Sequence, residues 1–173
     1  MRWPENSGLV EVKSEQQIRQ TVDLAFQIWN QHYPAIIGQG QVDYMLDRFQ
    51  SFPVIQEQIR QDYRYYLIQS AGSIAGYTAF VLRPDRQCLQ ISKLYLLADW
   101  RGQGLARYVI DTACNLARGH GLDRLYLTVN KYNHATLAAY QKIGFAITGD
   151  IVVDIGNGFE MDDFEMELVP GPA

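Results

Sequence analysis

From Leu94 to Arg107 the chain reads Leu-Tyr-Leu-Leu-Ala-Asp-Trp-Arg-Gly-Gln-Gly-Leu-Ala-Arg. An apolar, strand-like run enters a turn with two glycines, and the turn opens a helical pattern. The first turn of a helix has N–H groups without intrahelical partners and carries the positive end of the backbone dipole, which suits a phosphate or pyrophosphate. Gly102 and Gly104 lack Cβ, so an anion can approach the main chain closely. Arg101 and Arg107 add positive charge. Taken alone, the same residues also fit a plain turn into a helix. A Walker A loop would need Gly-Lys-Ser/Thr, and none follows. A dinucleotide fingerprint would need Gly or Ala at position 107, where this chain has Arg, and it usually opens the first βαβ unit.

A second segment bears on the choice. Val129 to Phe145 reads Val-Asn-Lys-Tyr-Asn-His-Ala-Thr-Leu-Ala-Ala-Tyr-Gln-Lys-Ile-Gly-Phe. Asn133, Ala135, Tyr140, Lys142, Gly144 and Phe145 match the second half of the acyl-CoA site of GCN5-related N-acetyltransferases. The upstream Arg101-x-x-Gly104-x-Ala106 is similar to that family's pyrophosphate loop. The chain resembles the family most clearly from Ile74 to Gly149. Two further stretches, Gly40–Ser51 and Asp154–Asp163, resemble the helical insertion and closing hairpin of the PaiA-type spermidine/spermine acetyltransferase subgroup.

The resemblance implies an α/β GNAT fold: a mixed, mainly antiparallel, splayed sheet of about seven strands with helices on both faces. It also implies a reaction, transfer of acetyl from acetyl-CoA to a primary amine by direct attack. The amides of Gly102, Gln103, Gly104, Leu105, Ala106 and Arg107, with Arg101, would hold the pyrophosphate. The main chain of Leu94, Tyr95 and Leu96 would hold pantetheine and polarise the acetyl oxygen. Tyr140 would protonate the leaving thiolate, its phenol having a reference pKa of about 10. Asn133 would cap its helix and hydrogen-bond the cofactor, and Lys142 would join the cofactor site. A small-molecule amine, with a polyamine as the first choice, is the implied acceptor. A protein or peptide amine, or a non-catalytic acyl-CoA-binding module, are the competing readings. Homodimers are frequent in such proteins, but no residue here fixes an interface.

An acceptor ammonium of reference pKa about 10.4 must lose a proton before it attacks. The sequence names no single base for this. Asp43, Asp154, Glu160, Asp162 and Asp163 could bind a polycation or relay a proton through water, and His32 and His134 are weaker candidates. Cys88 and Cys114 lack CxxC spacing and read as buried thiols rather than nucleophiles. No metal-ligand cluster or Ser-His-Asp set is visible, so neither a metal nor a covalent intermediate is expected.

The elements that must position these residues follow from periodicity. Leu9–Val12 is a short extended stretch. Ser14 and Gln17 form a capping-box pattern. Ile18, Val22, Ala25 and Trp29 then mark an amphipathic helix that ends before Pro34. Gly38 and Gly40 loosen the chain. Val42, Met45, Leu46 and Phe49 mark a second helix, and Pro53 starts a short third one reaching about Arg60. Tyr65–Ile68, Ile74–Leu82 and Leu89–Leu97 form a meander turned at Ala71-Gly72 and Pro84-Asp85. After the loop Asp99–Gly104, a helix buries Leu105, Val109, Ala113 and Leu116 or Ala117, and Gly119 and Gly121 end it. Leu125–Val129 is a buried strand parallel to its predecessor. Asn133 opens and Gly144 closes the last helix. Phe145–Asp154 and Met161–Val169 close the chain as a hairpin turned at Gly156-Asn157-Gly158. Pro170-Gly171-Pro172 reads as a fraying tail.

Length and charge bound the rest. A chain of 173 residues, 47% hydrophobic and 20% charged, fits one soluble globular domain over 1–173. The net charge of −4 disfavours wrapping nucleic acid. The N-terminus Met1–Asn6 has no apolar leader pattern, and no run suits a membrane span, so a cytoplasmic protein without nucleic-acid or membrane partners is expected.

Overall fold

In the computed structural model, residues 6–171 are described. Seven strands form one sheet in the order β1-β2-β3-β4-β5-β7-β6. They are β1 (Gly8–Glu11), β2 (Arg64–Ser70), β3 (Ser73–Arg83), β4 (Cys88–Leu96), β5 (Arg124–Asn130), β6 (Ala146–Gly156) and β7 (Phe159–Leu168). The helices are α1 (Glu15–His32), α2 (Pro34–Ile37), α3 (Gln39–Gln50), α4 (Phe52–Arg60), α5 (Leu105–Gly119) and α6 (His134–Ile143). The mixed α/β architecture with seven strands is the one the sequence implied. By contacts the chain divides into two units. One draws its described residues from Met1–Val81 and Lys93–Asp111, the other from Leu82–Ser92 and Thr112–Ala173.

In the first unit, α1 starts where the capping box places it. Ser14 Oγ accepts from the Gln17 N–H at 3.2 Å, and Gln17 Oε1 accepts from the Ser14 N–H at 3.0 Å. Pro34 does more than end α1. It occupies the first turn of α2, where its missing N–H and fixed φ cost nothing. Ile18, Ala25 and Ile28 of α1, Val42 of α3 and Ile55 of α4 are buried, as are Leu67 and Ile68 of β2. These apolar stripes supply the hydrophobic term that holds the helices down, about 1.5–3 kcal/mol per fully buried large side chain. β1, β2 and β3 pair antiparallel. The β2–β3 turn has Ala71 at φ 47° and Gly72 at φ 78°, the left-handed pair that a two-residue hairpin turn requires.

In the second unit, β4 and β5 pair parallel from Cys88↔Arg124 to Gln90↔Tyr126, the connection running through α5. The closing hairpin turns at Asn157 (φ 56°) and Gly158 (φ 77°). Its second strand, β7, pairs with β5 and leaves β6 at the sheet edge. Leu125, Leu127 and Met166 fill the core, and Cys88 and Cys114 are buried free thiols. On α5 the choice between Leu116 and Ala117 falls to Ala117, which is fully buried beside Ala113. No helix among the described residues is long and apolar enough to cross a membrane. The expectation about Met1–Glu5 and the Pro172 end of the tail lies outside the described residues.

Candidate acyl-CoA site

β4 leads into the glycine turn through a single 3-10 turn, Ala98–Trp100. The Trp100 N–H donates to Leu97 O at 3.0 Å and the Arg101 N–H to Ala98 O at 3.2 Å. Gly102 and Gly104 then adopt φ of +72° and +84°, and nothing lies within 4 Å of the Cβ either would carry. L-residues resist this backbone region, and a side chain there would project into open space on the approach to the turn. The first helical bond of α5 runs from the Tyr108 N–H to Gly104 O at 3.0 Å. Leu105, Ala106 and Arg107 are therefore its first-turn donors, at the positive end of a 15-residue helix. A left-handed glycine pair ahead of such donors leaves the main chain open to a ligand's approach.

The charges around the turn are partly engaged. Arg101 folds back, its Nε donating to Leu96 O at 3.0 Å and its guanidinium lying 3.4 Å from His32 Nδ1. Arg107 pairs with Asp111 at 3.1 Å, one helical turn on. Gln103 donates from Nε2 to Asp99 O at 2.6 Å and closes the turn. A cavity of about 280 Å³ beside it is lined by Gln27, Gln31, Asp99 and Trp100.

The end of β4 is held tightly. A Cβ on Gly76 of β3 would sit 2.1 Å from Tyr95 O and 3.0 Å from Leu96 Cα, so only glycine lets the strands approach as they do. The Leu97 N–H donates to Ala75 O at 2.9 Å, and Thr78 Oγ1 donates to Lys93 O at 2.6 Å. The Tyr95 ring packs on Trp29 (5.5 Å) and Tyr77 (5.3 Å). Leu94 and Leu96 are half-buried.

Lys93 is the residue that pattern reading passed over. It shares the inward parity of Leu89 and Ile91 and is 6% exposed. Burial alone pulls its ammonium down to about 7. The sign of the resulting stability change follows from proton counting. Between about 7 and the usual lysine value near 10.4, the unfolded chain holds the proton and the folded one does not. Folding stability from this group therefore rises as pH rises through that window. Replacing Lys93 with methionine should raise stability at pH 7, by an amount that shrinks towards pH 10, with about 4 kcal/mol as the upper limit set by the shift. Denaturant unfolding of both proteins at pH 7 and 9 measures it. A variant that loses stability equally at both would refute it.

Within the second unit, Tyr140 lies on the inner face of α6, 8% exposed, with its ring 5.5 Å from Phe145. Gly144, at φ +119°, ends the helix, and both its N–H and that of Phe145 donate to Tyr140 O. Asn133 corrects the sequence reading. It occupies the N-cap position and is buried, and its carbonyl accepts from the Leu137 N–H, but its side chain makes no capping bond. The reason is backbone geometry. Ser14, which does cap, has ψ 156°, whereas Asn133 has ψ 65°, short of the extended conformation that aims a cap side chain at the first turn. Lys142 is exposed on the last turn of α6, where its charge complements the helix dipole.

The candidate acids do not form one group. Asp154 pairs across the hairpin with Glu160, and Glu160 and Asp162 alternate onto the same face. Asp162 is held by Lys131 at 2.7 Å, and Asp154 accepts from the Gly156 N–H at 2.8 Å. Asp163 points to the opposite face, and burial, its largest influence, raises its carboxyl pKa. Asp43 lies on α3 and accepts from Gln39 at 2.7 Å. His134 is exposed in the first turn of α6. Among the described residues there is no group of three or more His, Cys, Asp or Glu placed to hold a metal ion.

Comparison with known proteins bears on the family and the fold. Over 91 residues, 53% of this chain, the sequence is 35% identical to an uncharacterised N-acetyltransferase of Mycobacterium bovis. The match spans 58% of that protein, a little over half its length. The fold is similar to the crystal structure of a PaiA N-acetyltransferase from Thermoplasma acidophilum in complex with coenzyme A. The TM-score is 0.78 at 15% identity, over 95% of this chain and 99% of that one. It is also similar to a spermidine N-acetyltransferase chimera that includes the Vibrio cholerae enzyme, with a TM-score of 0.69 at 17% identity over 95% and 96% of the two chains. The model of the acetyltransferase (GNAT) family matches residues 23–145. That span runs from α1 through the glycine turn to the end of α6, and the chain belongs to the GNAT acetyltransferase family.

Proposed function

We propose that this chain transfers an acetyl group from acetyl-CoA to a primary amine of a small molecule, with 1–173 acting as one catalytic domain. The observation that carries the reading is the turn at Gly102 and Gly104. Both glycines are left-handed, both have open space where a Cβ would be, and both precede the first-turn donors of α5. Left-handed glycines serve a plain turn as well, so what favours a pyrophosphate is the open approach to the turn together with the first-turn donors of α5 that follow it.

On this reading the amides of Gly102, Gln103, Gly104, Leu105, Ala106 and Arg107 bind the pyrophosphate, and Arg101 fixes the strand end to the turn through Leu96 O. Main-chain groups of Leu94, Tyr95 and Leu96 hold the pantetheine and polarise the thioester oxygen. The amine nitrogen attacks the carbonyl carbon and the C–S bond breaks. The Tyr140 hydroxyl proton passes to sulfur; of the two protons the ammonium gives up, one leaves to water before attack and the other returns through water to the tyrosinate, restoring the phenol. Asn133 at the start of α6 hydrogen-bonds the cofactor, and Lys142 offers charge to it.

A polyamine is the acceptor we favour. The acidic residues Asp154, Glu160 and Asp162 share one hairpin face and could attract a polycation, and both the PaiA-type and spermidine acetyltransferase folds are similar to this one. The test is a screen of polyamines, amino acids, aminoglycosides and peptides, read by free CoA release. Preferred turnover of spermidine or spermine supports the assignment. Preferred turnover of a peptide amine would replace it, and acetyl-CoA binding with no turnover would favour a non-catalytic module.

A further inference from the structure

Lys93 takes no part in the chemistry above, yet its surroundings are elaborately built. Its Nζ donates to Phe49 O at 2.8 Å, Gln50 Oε1 at 3.2 Å and Gln58 Oε1 at 3.3 Å. Phe49 and Gln50 end α3, where carbonyls lack helical partners and the helix dipole is negative. The two carboxamide oxygens each accept a second bond, from the Tyr77 hydroxyl on β3 and the Tyr65 hydroxyl on β2. The Tyr65 ring centroid lies 5.2 Å from the amine. Four elements thus converge on one side chain of β4. A buried ammonium with neutral partners costs stability, and an apolar side chain of similar length would fill the space without that cost. The residue that carries this cost stands directly before Leu94. The neighbouring strand fixes the same stretch from its side, through Thr78 on Lys93 O and through the Gly76 contact with Tyr95 O.

We propose that Lys93 is a positioning residue for acyl transfer: its side chain ties the α3–α4 junction to β4 and so holds the Leu94–Leu96 main chain where the thioester is polarised. This rests on the function proposed above. The titratable groups facing the amine are Tyr65 and Tyr77, both raised by burial, while α3 and α4 present only a carbonyl and two carboxamides. Of these three groups the amine is the one that titrates near neutrality.

The test compares the full-length wild type, Lys93→Met, Gln58→Leu and the double variant, with acetyl-CoA and the best amine from the screen. For Lys93→Met the expected result is a kcat lower by about tenfold or more, a weaker acetyl-CoA Kd, and no fall in the thermal midpoint. A breakpoint near neutral pH in the wild-type kcat profile should be absent from this variant. Gln58→Leu should lower kcat in the same direction, and the double variant should be no worse than Lys93→Met. Unchanged kcat overturns the proposal. So does a joint loss of kcat, cofactor affinity and thermal midpoint, which would mark simple structural damage. Should Lys93→Met fail to fold, Gln58→Leu keeps the lysine and two of its three oxygens, and an unchanged kcat and pH profile in that variant overturns the proposal alone. Failure of the wild type to bind acetyl-CoA would instead sink the underlying function, and this proposal with it.

Discussion

Replacing Tyr140 with phenylalanine is expected to lower kcat by about 10²–10³ at pH 7 while changing the KM for acetyl-CoA by no more than about threefold. The substitution keeps the ring that packs against Phe145 and removes only the hydroxyl. If that hydroxyl delivers a proton to the leaving sulfur, its loss forces CoA to depart as a thiolate. A cysteine thiol has a reference pKa of about 8.5, and the unactivated alkyl thiol of CoA lies above that value. Below that value an unassisted thiolate is the poorer leaving group, and well above it little is gained by protonation. The defect should therefore be greatest on the acid side and shrink only as pH rises beyond about 8.5. Steady-state kinetics from pH 6 to 9.5 test this. A defect that is constant across the range would assign Tyr140 to packing, as would one that appears in KM alone.

Gly76→Ala is the second substitution with a large expected effect. The added methyl would stand 2.1 Å from Tyr95 O, far inside contact distance, and the obstacle is main chain that cannot rotate away. Either β3 or the end of β4 must move. Overpacking of this kind typically costs about 1–3 kcal/mol, and a clash with backbone belongs at or beyond the upper end. The consequence specific to this account is local. Displacing Tyr95 and Leu96 disturbs the main chain proposed to hold the pantetheine, so acetyl-CoA affinity should fall by at least about tenfold in protein that remains folded. Gly8→Ala is the control, because nothing lies within 4 Å of its Cβ and its φ is unstrained. Isothermal titration with unfolding curves separates the two effects. Wild-type affinity in a folded Gly76→Ala protein would contradict the assigned role of the β4 end.

What the sequence disclosed, and what it hid, follows from the range of the forces involved. The start of α1 was legible because Ser14 and Gln17 interact within one turn. The hairpin at Asn157-Gly158 was legible because left-handed backbone favours those residue types. The glycine turn before α5 was legible for the same reason, both glycines being left-handed. By contrast, insertion of β7 between β5 and β6 depends on pairing between distant segments. Asn133 looked like a cap by residue type, but the ψ that decides the matter is set by the preceding turn, in which its own N–H donates to Asn130 O. Gly76 and Lys93 each broke a local rule. A glycine sits inside a strand rich in large residues, and a lysine sits on an apolar parity. Such breaks signal close approach or a buried polar role, but the partners, Tyr95 O for one and the α3–α4 junction for the other, are visible only in three dimensions.

The account stands most directly on where coenzyme A binds. A crystal structure with CoA should show its pyrophosphate on the amides between Gly102 and Arg107, its pantetheine along Leu94–Leu96, and its sulfur within hydrogen-bond reach of the Tyr140 hydroxyl. Density for CoA at any other place, or a thiol remote from that hydroxyl, would contradict it.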